Sequence, residues 1–227
     1  MIPWQLLGSV SLPGTPPQEL QLYQRDQEFS LRLGNQELMN SRVHASEEAL
    51  AELSCQRLGS RPGPVMLIGG LGMGYTLRAA LNHLPADARV IVAELLPEVV
   101  EWNQGVLAHL AATPLTDKRV TVKLKDVVKL VKAGEKRYDA ILLDIDNGHT
   151  AMTQSDKNWL YSFNGLRGIF AALKPGGVLG VWSAGPDQRF VKRLEQVRFE
   201  VGEKRVKARG AAGGTSHWIW TARRPLR

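Results

Sequence analysis

The sequence predicts an α/β protein in which a mostly parallel sheet is covered by helices on both faces. From residue 65 onward, short apolar segments alternate with segments of helical periodicity. The first apolar segment, residues 65–68, leads directly into a glycine-rich turn. Strands that alternate with helices pair in parallel and bury both faces of their sheet. We therefore expect a domain of this class over residues 45–227 and a small β region over residues 1–44.

The N-terminal region has the period of strands. Residues 20–24 and 29–33 alternate polar and apolar side chains, and a polar turn separates them. This pattern predicts a β-hairpin or a small meander. Such a unit is too small to bury a core of its own, so we expect it to pack on the rest of the chain.

The remaining elements follow in order. Ser46 is a candidate N-cap for a helix that ends near Leu58, with Glu47 and Glu48 in its first turn. Pro97 suits the first turn of a later helix. We predict strands at residues 65–68, 89–93, 120–124, 138–143, 178–182, 199–201 and 217–221. We predict the other helices after the glycine turn and at residues 127–133, 156–173 and 186–196.

Composition excludes several classes of protein. The 227 residues carry a net charge of +7, one cysteine and no apolar run long enough to span a membrane. The N-terminus lacks a signal-like apolar segment, so we expect a cytoplasmic protein without a membrane partner. Residues 189–227 hold eleven Lys and Arg against three Glu. A solvated surface explains this basic tail more simply than nucleic-acid binding, which stays an alternative.

The glycine turn is the first candidate for a binding site. Gly69, Gly70, Gly72 and Gly74 stand between a strand and a helix, where backbone can approach a ligand and helix N–H groups are unpaired. The dinucleotide fingerprint would need a third glycine where Tyr75 stands. The G-x-G-x-G spacing is instead typical of enzymes that use S-adenosylmethionine (SAM). A tight turn between core elements is the alternative.

Acidic residues end the next three strands of the alternation. In parallel sheets, ligands bind outside the carboxyl ends of the strands. Glu94 follows the last glycine of the turn by 20 residues, the spacing at which an acid receives ribose hydroxyls. Asp126 could accept the adenine amine or cap its own helix, and Asp144 could meet a cationic ligand group or the substrate. A solvated acid at a helix start is the alternative for Glu94.

The segment after Asp144 is unusually polar for the exit of a buried strand. Asp146, Asn147 and His149 could orient or deprotonate an acceptor, and a turn built from Asp, Asn and Gly explains them equally. Asp144, Asp146 and His149 are our candidate catalytic residues. No metal site is expected.

The sequence resembles the class I SAM-dependent methyltransferase superfamily and, within it, spermidine synthase-like proteins. The resemblance rests on four segments of the chain: Leu33-Gly34-Asn35-Gln36, residues 66–74 with 77–81, residues 138–144 and residues 173–178. It implies a Rossmann-like, seven-stranded, mostly parallel sheet whose last strand is antiparallel. It also implies a small-molecule substrate and SAM or decarboxylated SAM as the bound cofactor, and it leaves a homodimer open.

Two positions depart from spermidine synthases. Those enzymes carry an Asp in the glycine turn that helps to hold the amine of decarboxylated SAM, and Gly72 stands there in this chain. They also carry Asp-x-x-Asp after the fourth strand, and the second position here is Asn147, one residue after Asp146. Selecting cationic ligands calls for carboxylates, so the sequence favours methyl transfer from SAM. Polyamine aminopropyl transfer, a nucleic-acid methyltransferase and a non-catalytic binding protein are the alternatives.

Overall fold

The computed structural model describes residues 2–12, 18–144 and 159–227. They form two sheets and the helices that cover them. The strands of the N-terminal antiparallel sheet are β1 (Gln5–Leu12), β2 (Gln18–Arg25), β3 (Glu28–Leu33) and β4 (Gln36–Asn40). Those of the second sheet are β5 (Val65–Gly69), β6 (Arg89–Glu94), β7 (Val120–Leu124), β8 (Tyr138–Leu143), β9 (Leu173–Ser183), β10 (Glu200–Lys207) and β11 (Ser216–Arg223). The described α-helices are α1 (Ala45–Leu58), α2 (Tyr75–His83), α3 (Pro97–Gln104), α4 (Val127–Lys132), α5 (Phe163–Ala172) and α6 (Gln188–Gln196).

The second sheet confirms the predicted fold class. Its strand order is β10-β11-β9-β8-β5-β6-β7, and the pairs from β9 to β7 are parallel. β11 is antiparallel to both β9 and β10, between which it lies. β8 is buried along its whole length, which explains why all of its residues except Asp139 are apolar or aromatic.

Helices cover both faces of this sheet and divide its core in two. One cluster of buried side chains combines α1, α2 and α3 with the inward residues of the N-terminal sheet. The other combines α4, α5 and α6 on the opposite face. The N-terminal meander therefore shares a core with the larger sheet, as its small size predicts. The domain boundary at residue 44 stays a prediction.

Several boundaries differ from those predicted. Ser46 does not cap α1, because the helix begins at Ala45, two residues earlier than a Ser46 cap requires, and His44 occupies the cap without a side-chain hydrogen bond. β10 extends to Lys207, well beyond the predicted residues 199–201, and β9 begins at Leu173, before the predicted residues 178–182. The segment predicted as helix 156–173 contains α5, and residues 156–158 lie outside the described residues.

The described part of the chain forms no helix with the length and hydropathy of a membrane span.

Candidate functional site

The glycine turn connects β5 to α2 at the carboxyl edge of the sheet. Gly70, Gly72 and Gly74 all have positive φ, in the left-handed region that favours glycine. Gly74 is the N-cap of α2, and its Cβ would lie 3.1 Å from Asn103 Oδ1. Gly69 ends the strand in extended backbone, where a Cβ would contact the Leu143 side chain. The four glycines therefore let the chain turn sharply while its neighbours pack closely.

A residue of the N-terminal sheet covers this turn. A Cβ at Gly72 would lie 2.8 Å from Met39 Cε, so the Met39 side chain occupies the space beside the turn. Asn103 supports the turn from the other side, because its side-chain amide donates to the Gly72 carbonyl at 2.8 Å. The turn is thus held in place by α3 and by β4.

Glu94 organises the turn through its carboxylate. It accepts hydrogen bonds from the backbone N–H of Leu71 at 2.9 Å, of Leu95 at 2.8 Å and of Leu96 at 3.0 Å. Burial raises the pKa of the Glu94 carboxyl, and the three N–H donors oppose that rise. A carboxylate has about four acceptor sites, so these bonds leave room for about one further donor. The side chain can therefore receive one ribose hydroxyl, where the spacing alone suggested two.

Asp126 caps its own helix. Its Oδ1 accepts from the Val128 N–H at 2.7 Å, at the start of α4. This is the structural alternative that the sequence left open. Its carboxylate is half-buried beyond the end of β7, the strand next to β6. A role toward adenine stays a prediction.

Asp144 follows β8 and meets α1 and α2. Thr76 Oγ1 donates to Asp144 Oδ2 at 3.0 Å and lies 3.4 Å from the Glu47 carbonyl oxygen. Asp146, Asn147 and His149, the other residues predicted at this strand end, lie outside the described residues.

Glu47 is the principal residue that sequence reasoning missed. Its side chain is buried, with 5% of the residue exposed, and Ser46 Oγ donates to its Oε2 at 3.1 Å. Burial, and after it the negative charge of Asp144, raise the pKa of the Glu47 carboxyl to about 8. No lysine or arginine in the described ranges forms an ion pair with it.

A cavity of about 180 Å³ opens beside Glu47. Ser46, Glu47, Met39, Trp182 and His217 are among the residues that line it. The indole N–H of Trp182 is buried and has no hydrogen-bond partner among the described residues. The cavity therefore offers a carboxylate and an unused N–H donor, which are groups that would bind a polar ligand.

Only a weak signal for this cavity exists in the sequence. Glu47 and Glu48 are adjacent acids in a first helical turn, which ordinarily marks an exposed helix start. His217 lies 171 residues after Ser46 in the sequence, and its Nδ1 contacts Ser46 in the structure. Only the fold brings them together.

The chain matches the sequence pattern of a known family. The pattern described as the spermine/spermidine synthase domain matches residues 43–189, more than half of the chain. This chain belongs to the spermine/spermidine synthase family. The family match confirms the resemblance predicted from the glycine turn and the strand ends.

Relatives in this family are aminopropyltransferases by name. The polyamine aminopropyltransferase of Saccharolobus solfataricus is 30% identical over 102 residues, which cover 45% of this chain and 33% of that protein. That of Moorella thermoacetica is 27% identical over 148 residues, covering 63% of this chain and 50% of its own length. The chain thus spans between a third and a half of the length of these relatives.

Solved structures show the same fold. The spermidine synthase of Thermotoga maritima matches with a TM-score of 0.77 at 18% identity, covering 98% of this chain and 74% of that one. The Burkholderia thailandensis 1,6-didemethyltoxoflavin-N1-methyltransferase matches with a TM-score of 0.55 at 21% identity, covering 80% and 79%. The architecture is therefore shared by family members and by a methyltransferase.

Proposed function

We propose that this chain is a transferase that moves an aminopropyl group from decarboxylated SAM to a polyamine-type amine. The acid pair at the carboxyl edge of the sheet carries this proposal. The charge of Asp144 raises the pKa of the Glu47 carboxyl, so the two acids lie close together. Glu47 lines the cavity. No lysine or arginine among the described residues forms an ion pair with Glu47. Such a pair favours a cationic ligand, and both substrates of aminopropyl transfer are cations.

The residues at the strand ends fit an adenosyl donor. The positive-φ glycines leave backbone accessible at the turn, and Glu94 retains about one acceptor site for a ribose hydroxyl. Asp144 would then meet a positive group of the donor or acceptor. The family and the named relatives support the same donor, so this proposal replaces methyl transfer as our leading interpretation.

Methyl transfer from SAM stays the second candidate, and one observation favours it. Gly72 stands where spermidine synthases carry an Asp, and Met39 packs against it. The described turn therefore presents no carboxylate at that position. The carboxylate of SAM would meet no repulsion there, whereas decarboxylated SAM would lose one partner for its amine.

Calorimetry with each donor, followed by mass spectrometry of the products, separates the two candidates. We expect tighter binding of decarboxylated SAM than of SAM, and a mass increase of one aminopropyl group on 1,4-diaminobutane. Tighter binding of SAM together with a methylated product would reverse the order. Gly72→Asp combined with Met39→Ala, which makes room for the new side chain, supplies a control, because an added carboxylate should move the preference further toward decarboxylated SAM.

A nucleic-acid methyltransferase is supported by the basic tail alone. Steep salt-dependent binding of RNA or DNA would revive that alternative. A binding protein without catalysis would hold the donor and release no nucleoside thioether from it.

A further inference from the structure

A hydrogen-bonded row of side chains connects α1 to β11 beside the cavity. His217 Nδ1 lies 3.0 Å from Ser46 Oγ, and Ser46 Oγ lies 3.1 Å from Glu47 Oε2. Ser46 is 1% exposed and Glu47 is 5% exposed, while His217 is half-buried. The row therefore leads from a buried acid to a partly exposed imidazole.

When Glu47 is ionised, proton counting fixes the direction of these bonds. A serine hydroxyl has one proton, so when Ser46 donates to Glu47 it accepts from His217. His217 must then carry a proton on Nδ1. The Trp182 ring packs at an angle of 62° to the imidazole, with centroids 4.6 Å apart, and restrains its orientation. His217 thus points the Ser46 hydroxyl toward the Glu47 carboxylate.

On the basis of the proposed aminopropyl transfer, we propose that Glu47 is the base that takes a proton from the acceptor amine. We assign Ser46 and His217 as positioning residues that hold the Glu47 carboxylate. Glu47 lines the cavity where an amine would bind, and Asp144 supplies a second negative charge close to Glu47.

The reaction balances with the two substrates named. The acceptor enters as an ammonium ion and gives one proton to Glu47. Its nitrogen lone pair then forms a bond to the propyl carbon of decarboxylated SAM, while the carbon–sulfur bond breaks and its electron pair stays on sulfur. The products are a secondary ammonium ion and a neutral thioether, and Glu47 releases its proton to solvent after the products leave.

Burial gives Glu47 a basicity suited to this task. A carboxyl with a pKa near 8 accepts a proton from an ammonium ion more readily than an exposed carboxylate would. Several titratable groups face Glu47 from the elements around it: Glu37 on β4, Glu48 on α1, Tyr75 on α2, Asp144 after β8 and His217 on β11. The two groups whose charge raises the pKa of the Glu47 carboxyl are Asp144 and Glu48.

Glu47→Gln and Glu48→Gln form the matched test. Glu48 is the adjacent acid, and its side chain is 48% exposed and paired with His44. With decarboxylated SAM and 1,4-diaminobutane, we expect Glu47→Gln to lower kcat at least about 100-fold, the range of general-base catalysis, and Glu48→Gln to change it less than about threefold. Glu47→Asp should recover part of the activity, which separates loss of the base from loss of folding.

His217→Ala and Ser46→Ala test the positioning roles. Each removes support for the ionised form of Glu47, so the acid limb of the kcat/KM pH profile should move to higher pH. His217→Asn, which keeps a donor near Nδ1, should move it less, and His83→Ala, at an exposed histidine of α2, should not move it.

The outcomes separate the two proposals. If the wild type transfers aminopropyl groups and the kcat of Glu47→Gln equals that of Glu48→Gln, Glu47 is not the base, and the proposed function stands. An acid limb that stays in place in His217→Ala and Ser46→Ala overturns their positioning roles. A wild-type protein that binds the donor and releases no thioether overturns the proposed function and the base with it.

Discussion

Two buried acids, near opposite ends of the strands of the seven-stranded sheet, have contrasting surroundings. Asp139, near the start of β8, is bound by Lys174 Nζ at 2.6 Å, by Arg61 Nη1 at 3.2 Å and by the Val65 N–H at 2.8 Å. Glu47, at the carboxyl edge, has a serine hydroxyl and a second acid beside it. Both residues are almost fully buried, at 4% and 5% exposed.

The pKa values move in opposite directions as a result. Burial alone would raise the pKa of Asp139, but the bonds from Lys174 and Val65 and the contact with Arg61 lower it. Burial and Asp144 raise that of Glu47. An acid that stabilises the fold is surrounded by cations of the same chain, whereas an acid left without them is available to a cationic ligand. Perturbed groups of the second kind mark functional sites, often at a cost in stability.

The largest effect should follow removal of the stabilising acid. Asp139→Ala leaves Lys174 and Arg61 without their carboxylate and should lower the free energy of unfolding by about 3 kcal/mol. Urea denaturation measures it. Asp117→Ala, which breaks a more exposed pair with Arg119, is the control and should cost less than about 1 kcal/mol. Equal losses in the two variants would erase the distinction between Asp139 and a surface pair.

The pH dependence of stability should sharpen the comparison. The folded-state pKa of Glu47 exceeds its unfolded value of about 4.3, so the folded state binds more protons and its stability falls as pH rises from there through about 8. Asp139 has a lowered folded-state pKa, so its contribution is present above about pH 3.9 and is lost as pH falls through the folded value.

Glu47→Gln isolates the first of these contributions. Denaturation measures the free energy of unfolding at pH 6 and at pH 9. Between these pH values the variant should lose less of it than the wild type, by on the order of 2 kcal/mol. Glu48→Gln should stay close to the wild type, because Glu48 contributes less than burial and Asp144 to the raised pKa of Glu47. Parallel pH curves for all three proteins would mean that Glu47 is not perturbed in solution.

Glu94 is an intermediate case, because backbone N–H groups, and not cations, donate hydrogen bonds to its carboxylate. Glu94→Ala should weaken binding of decarboxylated SAM about tenfold, or 1.4 kcal/mol, through loss of a ribose bond and of support for the glycine turn. Calorimetry measures the affinity, with exposed Glu101 on α3 replaced by Ala as control. Unchanged affinity would remove Glu94 from the site.

The smallest effect concerns the helix cap. Asp126→Ala should cost about 1 kcal/mol of stability through loss of the bond to Val128. Asp126→Asn keeps the cap, since its oxygen can still accept, but it turns an amide donor toward any adenine amine. We expect it to keep stability and weaken donor binding a few-fold. An affinity equal to that of the wild type would mean that Asp126 acts only as the N-cap of α4.

The fold could be predicted because its central strands are apolar and flanked by turns. The predicted bounds of β7 and β8 match the structure, and the alternation with helices dictated a parallel sheet. β10 was underestimated because its middle residues, Glu203, Lys204 and Arg205, are charged, as is usual for an edge strand. Local patterns could not show that these residues pair with β11.

The site could be predicted only where it depends on local sequence. The glycine turn and the acids that end strands are placed by the alternation itself, so Glu94, Asp126 and Asp144 follow from the sequence. The row from His217 to Glu47 depends on α1 packing beside β11. Whether an acid in a first helical turn is buried is decided by that packing.

The position of β11 has a consequence for synthesis of the protein. β9 and β10 pair with β11 and not with each other, so neither can complete its hydrogen bonds before residues 216–223 leave the ribosome. The nascent chain must therefore carry open strand edges until residues 216–223 have emerged, and such edges are prone to association with other chains. Because His217 is part of β11, the cavity beside Glu47 forms only after β11 has paired, and a chain truncated before β11 should aggregate.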